Sequence, residues 1–295
     1  MNDAQCVVEL SGQLHIEGIR SVEAGRLQEY AAEIRRNSSI ARSIPEAQRR
    51  QLHMLPKPPS LPGFDFDCRY IPCDAVSGDF YDFVPIDQCK LGISIGDVSG
   101  HGIEAAVVMG MAKKALQIFA RDGCSPSEVL ALTNQNLSRD LLEGTFVSAA
   151  YGILNTAKRT FTFARAGNNP PFLVNPNRTP QVQELNPNGL AIGVDKTGAR
   201  FTKIVQEHSV QLKNGDLIFQ YTDGVVEAQS PAVKSALKKK DEEQFGEERL
   251  KELLLTCCTL PIPMLLGVVE SAVRKHAGGQ TLDDDITMIA FKVLK

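Results

Sequence analysis

Leu91-Gly92-Ile93-Ser94-Ile95-Gly96-Asp97-Val98-Ser99-Gly100-His101-Gly102 runs from a strand into a loop and carries an acid with it. Leu91, Ile93 and Ile95 alternate with small residues, the period of a half-buried strand. The glycines that follow let the backbone turn tightly, so that the Asp97 carboxylate and a nearby carbonyl can face one ion. The lysine and glycine spacing of a Walker loop or a dinucleotide fingerprint is absent. Taken alone, the stretch reads equally well as a strand-to-helix turn whose Asp and Ser cap the helix.

Three further segments share its character: Ser77-Gly78-Asp79-Phe80-Tyr81-Asp82, Tyr221-Thr222-Asp223-Gly224 and Asp283-Asp284-Asp285-Ile286-Thr287. Each sets an Asp beside a small or turn-forming residue at the edge of an apolar run. Singly they have plain readings; Asp223-Gly224, for instance, is an ordinary turn. Together they are harder to dismiss, because grouped carboxylates repel one another and lose hydration on burial. Mg²⁺ and Mn²⁺ remove both objections, since hard cations prefer carboxylate, carbonyl and water oxygens. Two such ions sharing a carboxylate can activate a water and hold a phosphoryl group.

Working outward, Phe66–Ile71 and Asp79–Val84 read as a first strand pair, and Thr145–Leu154 with Arg159–Arg165 as a hairpin. Pro171–Val174, Thr202–Val210, Asp216–Tyr221 and Ile286–Val293 add strands. Helices are expected over Ile103–Arg121, from Ser125-Pro126 to about Leu142, over Glu248–Leu255 and over Ile262–His276. The Lys-rich segment Gln229–Glu247 reads as a mobile surface loop. Antiparallel strands with helices in discrete insertions indicate α+β layers and not a βαβ repeat.

Residues 1–60 differ from the rest, and 61–295 form the expected catalytic domain. Leu27, Tyr30, Ile34, Ala41 and Ile44 fall near one helical face, and a proline-rich linker at Pro56, Pro58, Pro59 and Pro62 ends the helical region. This stripe is open to three readings: a dimer seam, an activator docking face, or a helix lying on the catalytic domain. The formal charge of −3 gives no electrostatic case for nucleic-acid or membrane binding. No apolar run approaches the roughly 20 residues that span a bilayer, so a cytoplasmic location is the default expectation. Seven cysteines without C-x-x-C spacing read as reduced, and the five scattered histidines lack zinc-ligand spacing.

The four acidic segments, with Ala166-Gly167-Asn168-Asn169-Pro170-Pro171, Gly189-Leu190-Ala191-Ile192-Gly193 and Phe245-Gly246-Glu247-Glu248-Arg249-Leu250, resemble the PPM-type metal-dependent Ser/Thr protein phosphatases. The likeness is to the bacterial branch of SpoIIE and RsbU-like regulators, and covers about Leu52 to Val293. It implies a four-layer α/β/β/α sandwich of two antiparallel sheets flanked by helices, with two Mn²⁺ or Mg²⁺ ions at one end. By motif, Asp97 would bridge the metals with help from the Val98 carbonyl, Asp79 would ligate one ion, and Asp223 and Asp284 the other. A metal-activated water would then attack phosphoserine or phosphothreonine in line. Asp82 and Asp285 are candidates to support those ligands, and His101 to protonate the leaving alkoxide. Two departures stand out: Asn168 occupies the usual His position, and Ala75 and Val76 stand where eukaryotic enzymes keep a phosphate-binding Arg. Arg69 and Arg165 are possible substitutes.

The resemblance implies a phosphoprotein substrate, in particular an anti-sigma-factor antagonist of the STAS type in a partner-switching stress response. The competing expectation is a non-catalytic binding module of the same fold, indifferent to metal. An activator protein or a homodimer, engaged through residues 1–60, is the expected control. Deleting residues 1–50 should leave basal hydrolysis intact while changing oligomeric state or activator response. Identical sedimentation and activator response in the truncated protein would refute this.

Overall fold

The computed structural model describes residues 43–121, 123–231, 244–279 and 282–294. The chain forms two units, Met1–Arg50 and Gln51–Lys295. In the first, residues 43–50 are helical, and Glu46 pairs with Arg49 and with Arg50 (3.0 Å). The stripe from Leu27 to Ala41 lies outside the described residues.

The larger unit is built on two five-stranded sheets whose neighbours are all antiparallel. One sheet runs β1 (Phe64–Ile71), β10 (Ile286–Val293), β9 (Leu217–Tyr221), β6 (Phe172–Val174), β7 (Val182–Glu184). The other runs β2 (Phe80–Pro85), β3 (Lys90–Val98), β4 (Val147–Asn155), β5 (Thr160–Ala166), β8 (Glu207–Gln211). Period-2 alternation sorts the side chains. Ile93, Ile95, Phe161, Phe163, Ile218, Ile289 and Phe291 face inward and fill the space between the sheets. Residues of opposite parity face outward under helices. Tyr151 and Ala149 lie beneath α1 (Gly102–Arg121) and α2 (Pro126–Leu137). Phe219, Tyr221 and Met288 lie beneath α4 (Glu247–Cys257) and α5 (Ile262–His276). The short α3 (Phe201–Ile204) packs on α2. The result is the expected α+β sandwich of four layers. Among the described residues, no helix is long and apolar enough to cross a membrane.

Several local expectations need correcting. Phe66–Ile71 and Asp79–Val84 are strands but not a pair: β1 joins β10, β2 joins β3, and the intervening segment crosses between sheets. Alternation fixes which face of a strand is buried, whereas its partner is set by distant register. Thr202 does not open a strand; it lies in α3, where the Asp195 carboxylate accepts the backbone N–H groups of Arg200 (2.7 Å) and Phe201 (3.0 Å). α2 stops at Leu137, short of Leu142; the buried Leu141 continues the apolar pattern beyond the helix end, which made the helix read as longer. The edge strand β7 was not anticipated, since Val182-Gln183-Glu184 carries no alternation. The expected loop at Gln229–Glu247 falls mostly outside the described residues, although Gln229 and Gln244 form an antiparallel bridge.

The apolar face of α1 includes one cation. Lys113 reaches down to Asp82 on β2, Nζ to Oδ2 2.7 Å, with side chains only 8% and 3% exposed. Removing one member leaves a buried charge without its partner. Lys113→Met should therefore destabilise the protein by about 3–5 kcal/mol, and adding Asp82→Leu should recover most of that loss. Urea unfolding of the single and double variants measures both; equal loss in the two would exclude the pair as the cause.

Candidate metal centre

The four acidic segments meet at one end of the sandwich. On one sheet this end is formed by the close of β1, the close of β9 and the start of β10, where Ile71 pairs with Ile286 and Tyr221 with Met288. On the other it is formed by the start of β2 and the close of β3, where Phe80 pairs with Gly96 and Asp97 with Ser148. Asp79 therefore precedes β2, Asp97 is the last residue but one of β3, Asp223 opens a single 3₁₀ turn after β9, and Asp284 precedes β10.

Close backbone approach makes the convergence possible. A Cβ at Gly78 would lie 2.9 Å from the Val98 carbonyl oxygen and 3.2 Å from Asp97 Oδ1. The segment ahead of Asp79 thus rests on the two oxygens expected to act together. Gly224 lies so close to the Asp285 carbonyl that a methyl there would overlap it, and its other neighbour is the Cβ of Asp284. The turn itself belongs to Gly100 (φ +96°) and Gly102 (φ +76°), while Gly96 stays within β3.

Hydrogen bonds then lock the acids in place. Thr222 Oγ1 donates to Asp79 Oδ2 (2.8 Å) and accepts from the Thr287 N–H (3.0 Å), so a hydroxyl on one sheet fixes an acid on the other. Ser77 Oγ accepts the N–H of Asp79 (3.0 Å). Asp285 accepts from the backbone of Cys73 (2.7 Å) and Gly78 (3.1 Å), clamping the crossing segment to β10. The buried Gln51 holds Ser77 at both backbone groups, donating to its carbonyl (2.7 Å) and accepting its N–H (3.0 Å). Cys73, Asp284 and Asp285 bring one ligand atom each within 4.8 Å of one another.

The electrostatics are those of acids held together against repulsion. Burial and then the Asp97 charge push the Asp79 carboxyl well above its ordinary range. Burial, followed by the charges of Asp223, Asp284 and Asp285, pushes Asp97 up to about 8. Asp284 is raised to about 6, chiefly by burial, with Asp223, Asp285 and Glu227 adding to it, and burial also raises Asp223. The groups acting on Asp97 and Asp284 are other acids, not bases. Hard oxygen donors that would share protons for want of a cation fit Mg²⁺ or Mn²⁺.

The remaining candidates are placed less uniformly. His101 is exposed immediately before α1, beside the acids. Asp82 lies under α1 in its pair with Lys113. Arg165 donates to the carbonyls of Pro187 (2.9 Å) and Asn168 and to the Asn186 side chain, bracing a loop. Arg69 sits on β1 between Cys68 and Tyr70, which pack toward the inter-sheet core, and so points to the opposite face. Asn168 is buried and donates to the Tyr221 carbonyl (3.2 Å), tying its loop to the end of β9. Gln51, Ser77, Thr222 and Thr287 were not anticipated. A Thr directly before a strand-ending Asp was a usable signal; Gln51, distant in sequence, gave none.

The family model described as Stage II sporulation protein E (SpoIIE) matches residues 87–294. Over 275 residues the chain is 26% identical to phosphoserine phosphatase RsbU of Bacillus subtilis, spanning 93% of this chain and 75% of that protein. Among solved structures, the SiaA-PP2C domain of Pseudomonas aeruginosa aligns with a TM-score of 0.70 at 23% identity, covering 87% of this chain and 98% of that one. The RsbU and RsbW domains of Rv1364c from Mycobacterium tuberculosis align with a TM-score of 0.63 at 23% identity, covering 80% and 61%. These structural likenesses establish a shared fold.

Raised carboxyl pKa values set the pH response of the metal-free protein. The native acids hold protons that the unfolded chain releases above about pH 4, so this stability is complete below that pH and is lost as pH rises toward about 8, through the raised values of Asp284 and Asp97. The melting temperature of chelator-treated protein should fall between about pH 4 and pH 8, and saturating Mn²⁺ should flatten or reverse the slope. A flat profile without metal would show that the acids do not share a buried site.

Proposed function

Because the chain belongs to the SpoIIE family, we propose that it is a metal-dependent protein serine/threonine phosphatase acting on phosphoserine or phosphothreonine. The observation that carries this reading is the meeting of Asp79, Asp97, Asp223 and Asp284 at one sandwich end, with the Val98 carbonyl beside Asp97. The similarity to a protein named phosphoserine phosphatase RsbU supports it. So does the shared fold of the phosphatase PstP, whose crystal structure is described as a complex with two manganese ions (TM-score 0.53, 13% identity).

In this reading Asp79, Asp97, Asp223 and Asp284, with the Val98 carbonyl, would hold the two ions, Mn²⁺ or Mg²⁺. When bound, such ions would supply a water of lowered pKa and offset charge on the phosphoryl oxygens. The chain's own groups supply position. Thr222 fixes one oxygen of Asp79 and so sets the orientation of its carboxylate. Asp285, through Cys73 and Gly78, holds the crossing segment against Val98 and Asp97. Asp82 acts at longer range, by seating α1 on β2 through Lys113. His101, exposed at the lip, is the candidate donor to the departing serine or threonine oxygen. Arg165 acts as a brace, because its guanidinium is committed to loop oxygens.

For the substrate we infer a phosphoprotein of a partner-switching pathway. Likeness to RsbU, and to a structure holding RsbU and RsbW domains, supports a phosphorylated antagonist of the STAS type in a partner-switching pathway. Phosphate release should require Mn²⁺ or Mg²⁺, and Asp97→Ala or Asp223→Ala should lower kcat at least about a thousandfold. Thr222→Val should weaken metal binding about 10- to 100-fold, and Thr222→Ser should restore it. Both are read by metal titration of phosphate release and by calorimetry. The proposal fails if metal binds yet neither a phosphoprotein nor an aryl phosphate turns over across Mg²⁺ and Mn²⁺ titrations.

A further inference from the structure

The ground beside the acids is apolar where exposed surface is ordinarily polar. On α1, Ile103, Val107 and Met111 recur every fourth residue and are 62%, 59% and 37% exposed. This row forms one wall of a cavity of about 350 Å³. Leu142, 75% exposed, stands in its lining too. Ser99, Gly100 and His101, the residues directly after Asp97 and Val98, complete the lining at the end nearest the acids. Phe146 extends the patch, held to Ser99 by two hydrogen bonds, its N–H to Oγ (2.9 Å) and the Ser99 N–H to its carbonyl (3.0 Å). None of these side chains is needed to hold a metal or build the core.

We propose that this groove is the docking site for an apolar helical face of the phosphoprotein substrate, flanking its phosphoserine; the proposal rests on the phosphatase reading above. The occupant follows from continuity. Any protein that seats a phosphoserine on the acids lays its adjoining surface on whatever adjoins them, and on this side that is the groove. A row at i, i+4, i+8 facing Leu142 is the complement of an amphipathic helix, whose anchors recur one turn apart. Glu104 and Asp140 in the lining disfavour an acidic flank, so the recognised residues are apolar and not negatively charged. A free phosphate ester needs none of the apolar side chains Ile103, Val107, Met111 and Leu142, which separates docking from chemistry.

The test uses two helix-forming phosphoserine peptides, one with leucines one and two turns from the phosphoserine and one with serines in their place. The full-length protein should prefer the leucine peptide by about tenfold to a hundredfold in kcat/KM, the effect of burying one or two such side chains. Val107→Ser/Leu142→Ser, at two exposed positions, should erase that preference through KM while turnover of p-nitrophenyl phosphate is unchanged. Equal kcat/KM for both peptides in the parent protein, or a preference that survives in the variant, overturns the proposal. So does a variant that changes from dimer to monomer in sedimentation while losing no peptide preference, since a second copy then covers the groove. Fluorescence anisotropy of both peptides decides docking without catalysis. Absent turnover with selective leucine-peptide binding would sink the hydrolase reading and leave the docking site standing.

Discussion

Buried like charges are the constraint on which this molecule is organised. Asp79, Asp97, Asp223 and Asp284 come from both sheets; burial raises the proton affinity of all four, and neighbouring acids add to it at Asp79, Asp97 and Asp284. Left to themselves, such groups would move apart into water. They stay because their backbone is fixed by features with no freedom to retreat: strand ends, the Thr222 hydroxyl between Asp79 and Thr287, and the Asp285 clamp. In the proposed reading, a hard cation would relieve the repulsion among the gathered acids.

The sandwich supplies the stiffness this needs. Its inter-sheet core is dominated by large rings and branched chains, with Phe66 stacked on Phe291 at 5.4 Å and Phe161 edge-on to the same ring at 5.3 Å. The sheets therefore cannot slide independently, and acids carried by different sheets keep their spacing. Support also comes from outside the strands. Gln51, the first residue of the larger unit, grips Ser77, whose hydroxyl in turn holds the Asp79 N–H. The N-terminal edge of this unit is thus two hydrogen bonds removed from an acid at the centre.

Much of this was legible in the residues, and the limits have physical causes. Helix α5 was readable at both ends because Pro261 precedes it and its basic last turn runs into glycines. The β4–β5 hairpin was readable because its turn is local. The pairing of β1 with β10 was not, since the two lie at opposite ends of the chain and alternation says nothing about partners. The acids announced themselves through their shared setting beside small residues. Their supports did not: Gln51 looked like any polar residue near a helix end, and Lys113 like a solvated lysine. Arg165 was singled out for its charge, and only its three-dimensional neighbours reveal a brace.

Gly224 carries a lesson about degeneracy within such proteins. Its missing side chain admits the Asp285 carbonyl and brings the Asp223 turn against Asp284. A relative with every carboxylate preserved but alanine at this place would keep its acids on paper and lose their arrangement in space. Competence here is written partly in an atom that is not there, and an inventory of acids alone would miscount the living and the dead.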